Sequence, residues 1–218
     1  MNMNDNKTNK PSELLPEPTL RRLPWYLAYV AMLKADNVEY VSSRRIADEL
    51  DVDSSQIAKD LSFLNIKGKT RIGYEVALLE RELRDFLGFR CSHAAVMVGV
   101  GSLGAALMRD SGLNRYGLKV VAGIDVKPEL IGTDIDGIPV CAMEDLPQLV
   151  RAQSITIGIV AVPVECAQGV AEAMMDAGIR ALWNFTPFRI RVRDGVVVTN
   201  TSIYSHLAVM YNRLASLE

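Results

Sequence analysis

The residues best placed to do chemistry are three glycines and one acid. Gly99, Gly101 and Gly104 lie in the run Ala94-Ala95-Val96-Met97-Val98-Gly99-Val100-Gly101-Ser102-Leu103-Gly104. This is G-x-G-x-x-G between an apolar strand and a helix start, the context that gives the pattern its weight. Gly99 permits a tight turn, Gly101 lets backbone approach a pyrophosphate, and Gly104 lets helix pack on strand. Ser102 and Leu103 open the helix, whose free N–H groups and dipole favour an anion. Asp125 follows the next apolar run, Gly117 to Ile124. It stands about twenty residues past the turn, where an acid bonds ribose hydroxyls. A carboxylate there repels a 2′-phosphate, so NAD(H) is expected over its phosphorylated form, and Lys127 nearby weakens that preference. Val162-Pro163 and Asn184-Phe185-Thr186-Pro187 end later strands, where the nicotinamide half would rest; Val162, Pro163, Asn184 and Thr186 therefore join the expected site. Turn formation by proline explains the same residues without a ligand.

A second constellation is polar and basic. Ser42 and Ser43 can cap a helix through Arg44, Arg45, Ile46, Ala47, Asp48, Glu49 and Leu50. Asp51-Val52-Asp53 makes a turn, and Asp53 or Ser54 caps a second helix reaching Leu64. Ile57, Leu61 and Leu64 face inward, while Ser54, Ser55, Gln56 and Lys59 remain outward. That is the layout of a helix-turn-helix, whose second helix sets N-terminal side chains on base edges in the major groove. Asn65 to Val76 alternates Ile66, Ile72, Tyr74 and Val76 around a Lys-Gly-Lys tip, which predicts a hairpin, or wing. Lys59, Lys67, Lys69 and Arg71 face Asp60 alone between Ser54 and Tyr74, so the patch can neutralise phosphates. The competing reading is a helical hairpin with a solvated basic turn.

These residues need two scaffolds. Glu17 to Asp36 carries a helical stripe with Pro24 at its start or a kink. Val76 to Leu87 is amphipathic and ends at Gly88. From Ala94 onward strand and helix alternate, with helices expected over Met143 to Ala152 and Glu165 to Gly178, a buried strand Ile155 to Pro163, and Val196 to Val198 closing the sheet. The fold class is α/β: an N-terminal winged helix-turn-helix domain, a Rossmann-type doubly wound parallel sheet, and a C-terminal helix. The expected boundaries are a disordered tail at 1–15, a DNA-binding domain at 16–89, a nucleotide domain at 90–199 and a dimerisation helix at 200–218. Ser202 to Leu217 carries apolar residues that need a surface to cover, and a homodimer would supply two half-sites.

The chain has 218 residues and a net charge of −2, so any nucleic-acid site is a local patch rather than a bulk property. Three cysteines, Cys91, Cys141 and Cys166, lack metal or redox spacing. Their odd number, with no secretion signal, fits a reducing cytoplasm. The apolar strands are too short to span a membrane as helices. No metal site is expected. No catalytic residue is expected either: the histidines are His93 and His206, neither with an evident acid–base partner.

Taken together, Ser42-Ser43, Gln56-Ile57-Ala58-Lys59-Asp60-Leu61-Ser62, Gly68-Lys69 with Gly73-Tyr74, the glycine turn, Val162-Pro163 and Asn184-Phe185-Thr186-Pro187 resemble the Rex family of redox-sensing transcriptional repressors over nearly the whole chain. The resemblance implies a homodimer that exchanges its C-terminal helix, binds operator DNA, and loses operator affinity when NADH binds in competition with NAD+. The dinucleotide is then a signal, not a hydride donor. Three departures stand out. Ala58 replaces an Arg usual before the recognition-helix Lys, and Ile66-Lys67-Gly68-Lys69-Thr70-Arg71 replaces the usual wing. The positions matching an Arg–Tyr–Asp link between domains are Arg22, Asp110 and Ser202, with Asp110 as the expected charge partner of Arg22. A small NAD-dependent oxidoreductase and a coenzyme A binder are the alternatives that the glycine turn alone would allow.

Overall fold

The computed structural model describes residues 15–64 and 66–217. The expected tail therefore lies outside the described residues except for Leu15, which packs on the N-terminal core. The chain divides into two compact units, one ending at Arg90 and the other beginning at Cys91.

The N-terminal unit runs α1 (Glu17–Ala35), β1 (Tyr40–Val41), α2 (Ser43–Leu50), α3 (Ser54–Leu61), β2 (Tyr74–Glu75) and α4 (Val76–Phe86). Pro16 precedes α1 and Pro18 sits in its first turn, where a missing N–H costs nothing. Pro24 lies inside α1, which continues past it. Leu23, Tyr26, Leu27, Val30 and Leu33 are buried along one face of α1 and meet Ile46, Ile57, Leu61, Leu79 and Leu83 in a single core. Ser42 caps α2 by accepting the Arg45 N–H, and Asp51 ends it in the left-handed region. Asp53, rather than Ser54, caps α3.

Two expectations need correction here. The second helix stops at Leu61, three residues short of Leu64, because Ser62 caps its end with its hydroxyl on the Lys59 carbonyl. The wing is not an alternating hairpin. Lys69 and Gly73 form an isolated antiparallel bridge, and β2 pairs instead with β1, Tyr40 against Glu75 and Val41 against Tyr74. Val76 then opens α4, so its side chain belongs to the helix core. Gly73 has φ +104, and a Cβ there would collide with the Val41 backbone, so the wing can rejoin β1 only through glycine.

The second unit runs β3 (His93–Val98), α5 (Ser102–Arg109), α6 (Ser111–Arg115), β4 (Leu118–Ile124), β5 (Asp134–Ile135), β6 (Ile138–Cys141), α7 (Leu146–Ala152), β7 (Ile157–Val160), α8 (Ala167–Asp176), β8 (Ala181–Asn184), β9 (Val197–Asn200) and α9 (Ile203–Ala215). Short 3-10 turns at Met143–Asp145 and Val164–Cys166 precede α7 and α8, so both helices start later than expected. The sheet order is β5-β6-β4-β3-β7-β8-β9, parallel throughout except that β5 folds back on β6. This is the doubly wound order, with β3 central and the direction of winding reversing beside it. Val96 and Val98 of β3 face α7 and α8 through Leu146, Val150, Ala171 and Met174. Ala95 and Met97 point the other way, into a cluster with Met108 of α5. Alternation of buried faces is what a strand covered on both sides requires. β9 pairs parallel to β8 and closes the sheet where expected. None of the residues of α9 is buried.

Candidate nucleotide cleft and nucleic-acid interface

In the second unit, a cleft of about 360 Å³ opens at the carboxyl ends of β3, β4 and β7, the crevice where open α/β sheets bind ligands. Its walls include Val98, Gly99, Gly101, Asp125, Lys127, Val162 and Pro163, together with Met143, Cys166 and Val170. Its volume falls within the roughly 300–1,000 Å³ of small-molecule sites.

The glycines of the turn differ in what they do. Gly99 has φ +91, and a Cβ on it would run into the Ala161 backbone. A Cβ on Gly104 would collide with the Gly99 carbonyl. Both are therefore dictated by the fold itself. Gly101 has an ordinary φ of −71, and a Cβ there would meet nothing within 4 Å. Nothing inside the chain asks for glycine at this position, which leaves the close approach of a bound group as its physical reason. Ser102 and Leu103 are exposed in the first turn of α5, where backbone N–H groups lack helical partners. These features fit the pyrophosphate of a dinucleotide.

Asp125 is already engaged. Its Oδ2 accepts the Val100 N–H at 2.7 Å, and its Oδ1 accepts the N–H groups of Val126 at 2.8 Å and Lys127 at 3.0 Å. The acid thus ties the end of β4 to the glycine turn. A carboxylate has about four acceptor sites, so capacity remains for a ribose hydroxyl.

Asn184 and Thr186 are engaged within the loop that follows β8. Asn184 is fully buried. Its Nδ2 donates to the Phe188 carbonyl at 2.6 Å and to Asn200 Oδ1 at 2.9 Å. Its Oδ1 accepts the N–H and the hydroxyl of Thr186 at 3.0 and 2.8 Å. Both side chains fold the loop after β8, and neither lines the cleft.

In the N-terminal unit, Ser54, Ser55, Ala58 and Lys59 are exposed on one side of α3, while Ile57, Asp60 and Leu61 are buried on the other. Ser55 is partly committed, since its hydroxyl donates to Asp53. Arg44, Lys67, Lys69 and Arg71 are exposed, and Ser43 is half-buried at the start of α2. The Lys69 ammonium donates to the Tyr40 hydroxyl at 2.7 Å and stands 4.7 Å from the centre of that ring. The hydroxyl contact raises its pKa.

Sequence reasoning missed the centre of this unit. Asp60, counted from sequence as a surface acid, has no exposed surface. It accepts Thr19 Oγ1 at 3.0 Å, Arg22 Nε at 2.7 Å and Nη2 at 2.9 Å, the Tyr26 hydroxyl at 2.7 Å and Gln56 Nε2 at 2.8 Å. Burial alone would raise the Asp60 pKa, but hydrogen bonds led by that from Arg22 outweigh it and hold the group at about 2. Burial, followed by the bond to Asp60, raises the pKa of Tyr26. The clue was available: Thr19, Arg22 and Tyr26 lie at helical spacing on the side of α1 that also carries its apolar stripe.

The hub engages two residues of the expected sites. Gln56 is half-buried, and its amide NH₂ faces Asp60 because a carboxylate only accepts. Its second amide hydrogen and its carbonyl oxygen remain for another partner. Arg22 is paired with Asp60 within the N-terminal unit. Asp110 caps α6 by accepting the Gly112 N–H at 2.8 Å, and Ser202 caps α9 by accepting that of Ser205. Among the described residues no cluster of metal-binding side chains is present, and no helix is long and apolar enough to cross a membrane.

Comparison with known proteins places both units. A family model described as "Putative DNA-binding protein N-terminus" matches residues 15–62, and one described as "CoA binding domain" matches residues 92–188. The redox-sensing transcriptional repressor Rex of Bacteroides fragilis is 54% identical over 98% of this chain and 97% of that protein. Rex of Porphyromonas gingivalis is 55% identical, covering 93% of each chain. The crystal structure of RSP in complex with beta-NAD+ and operator DNA superposes with a TM-score of 0.89 at 30% identity, covering 93% of this chain and 94% of that one. RSP in complex with beta-NADH gives 0.84 at 30% identity over 93% and 95%.

Proposed function

The chain belongs to the Rex family of redox-sensing transcriptional repressors, and we propose that it represses transcription by binding an inverted-repeat operator and releasing it when NADH occupies the nucleotide cleft. The observation that carries this reading is the presence, in one chain, of a helix-turn-helix with Ser54, Ala58 and Lys59 outward and of a glycine-framed cleft whose Gly101 has no internal reason to be glycine. RSP, solved with operator DNA and NAD+ together, supports pairing the two.

Each subunit presents α3 to a major groove. Lys59 and Ser54 contact bases or neighbouring phosphates, and Gln56 offers its carbonyl oxygen. Ser42, Ser43, Arg44, Lys67, Lys69 and Arg71 contact the backbone at the flanks. Loss of the guanidinium at Ala58 removes a possible guanine reader, so the operator differs from that of relatives with Arg there. Homodimerisation is part of the proposal: α9 leaves Tyr204, Val209, Met210, Tyr211 and Leu214 exposed along its length, more apolar surface than an isolated helix tolerates.

In the cleft, backbone from Gly99 to Gly104 holds the pyrophosphate, and Asp125 accepts a ribose hydroxyl. The dinucleotide supplies a redox-dependent shape and charge, not a hydride. Repression responds to NADH only if NADH binds the DNA-free state more tightly than the DNA-bound state. Such coupling is typically about 1–3 kcal/mol. The protein is thus a cytoplasmic regulator rather than an oxidoreductase, and NADH incubated with it and candidate carbonyl substrates is expected to remain unoxidised.

The name of the second family model keeps coenzyme A as the competing ligand. The test is fluorescence anisotropy on an inverted-repeat operator library titrated with NADH, NAD+ or coenzyme A. Release by NADH at concentrations where the other two do little supports the proposal. DNA binding insensitive to NADH, or release by coenzyme A instead, contradicts it.

A further inference from the structure

The nucleotide cleft carries a cation that its own packing does not use. Among the described residues that line it, the charged ones are Asp125 and Lys127; the rest of the wall is glycine, alanine, proline and apolar or sulfur-bearing side chains. The backbone of Lys127 is fixed. Its N–H donates to Asp125 Oδ1 at 3.0 Å, and its carbonyl accepts the N–H groups of Leu130 at 3.0 Å and Ile131 at 3.3 Å. Pro128 follows it and narrows its backbone freedom further. The side chain is left over. Lys127 is exposed, and its ammonium makes no hydrogen bond or ion pair among the described residues, not even with Asp125.

The acid beside it is a lesser barrier to negative charge than its type suggests. By itself a carboxylate at the end of β4 repels a 2′-phosphate. Asp125, however, accepts the N–H groups of Val100, Val126 and Lys127. Three oriented amides direct fixed partial positive charge at the carboxylate and offset part of its field. In dinucleotide sites of this architecture an acid bonds the ribose 2′-hydroxyl, or an arginine nearby accommodates a 2′-phosphate. Here an acid and a free cation stand together at the end of one strand.

We propose that Lys127 is a specificity-determining residue that lets the cleft accept a 2′-phosphate, so that NADPH is a second ligand of the site beside NADH. The proposal rests on the dinucleotide reading of the cleft and adds a ligand class to it. A ribose read by Asp125 brings its 2′ oxygen to the residues that follow that acid, and Lys127 is the cation among them. A phosphate monoester carries a charge of about −1.5 to −2 at pH 7. An ammonium meets it as a point charge, without the planar fork that an arginine would have to align. The fixed backbone of Lys127 anchors the side chain at the cleft wall, and the absence of an internal partner leaves the ammonium available.

The test is calorimetry of NADH and of NADPH binding to the full chain at one fixed salt concentration. Wild type is expected to bind NADPH within about tenfold of NADH. In Lys127→Ala the ratio of NADPH to NADH affinity is expected to fall about tenfold further, the loss of one charge-assisted contact. Lys127→Arg keeps the charge and is expected to keep the ratio. Added salt is expected to weaken NADPH binding more than NADH binding in wild type, and to lose that difference in Lys127→Ala. Equal loss of both ligands in Lys127→Ala identifies a contact to the part that they share and overturns the proposal. An unchanged ratio in that variant overturns it too, as does wild-type protein that binds NADPH more than about tenfold more weakly than NADH. Wild-type protein that binds neither ligand refutes the dinucleotide reading itself; NADH binding with NADPH rejected refutes only the assignment of Lys127.

Discussion

The two candidate sites are built by opposite means. The nucleic-acid face is made of side chains whose aim depends on one buried carboxylate: Asp60 gathers Thr19, Arg22, Tyr26 and Gln56, and so fixes α3 against α1. The nucleotide cleft is made largely of backbone. Its critical residues have no side chain, and its acid, Asp125, holds three backbone N–H groups. A site of the first kind fails when a charge is removed. A site of the second kind fails when an atom is added.

The largest expected effect follows from the first half of that contrast. Asp60→Ala leaves the buried Tyr26 and Thr19 hydroxyls and the Arg22 guanidinium without their acceptor. Loss of one partner of a buried pair costs about 3–5 kcal/mol. Operator binding is expected to disappear, while NADH binding to the second unit survives; calorimetry of NADH binding beside a gel shift checks both. Loss of NADH binding as well would mean that the units do not depend on separate devices.

Gly104→Ala is the mirror experiment. The added methyl meets the Gly99 carbonyl, an overpacking that costs about 1–3 kcal/mol. Thermal denaturation should show the loss, and NADH binding should fall while the N-terminal unit keeps its fold.

Acid sharpens the same comparison. Asp60 is held at about 2 in the folded chain, below its ordinary 3.8. A depressed carboxyl contributes stability that is complete above pH 4 and is lost as pH falls toward 2. The shift corresponds to roughly 2 kcal/mol. Denaturation of wild type from about pH 5 down to about pH 2 should show this loss, and Asp60→Asn should flatten it.

Gly101→Ala separates ligand from fold. Its methyl meets open space, so the melting temperature should stay put while NADH affinity drops about tenfold, or ~1.4 kcal/mol. A stable variant with unchanged affinity would remove the pyrophosphate from the turn. The smallest effect is expected at Lys59: Lys59→Ala should flatten the salt dependence of operator binding by about one unit of slope.

Most of the cleft was legible in the sequence because its requirements are local. Glycines at fixed spacing, a preceding apolar run and an acid at the end of the next strand all belong to one βαβ unit. Asp125 appeared there with one role and carries another, since no pattern reveals that it also clamps Val100. Asn184 and Thr186 were marked because they end a strand; that they satisfy each other and the loop that follows was not visible there. The N-terminal helices were legible from caps and apolar spacing. The Asp60 hub was not, because it joins residues 34 to 41 positions apart, and charge counting cannot distinguish a buried acid from a solvated one. The pairing of the wing was hidden for the same reason: β2 pairs with β1 across the intervening α2 and α3, a contact that alternation within Asn65 to Val76 cannot show.

The central claim is that the two sites are energetically linked. Linkage is reciprocal, so the factor by which NADH weakens operator binding must equal the factor by which saturating operator weakens NADH binding. The direct measurement is NADH affinity with and without operator at one fixed salt concentration, beside operator affinity with and without NADH. Equal factors of about 5–150 are expected. Tight binding of both ligands with no effect of either on the other would contradict the claim.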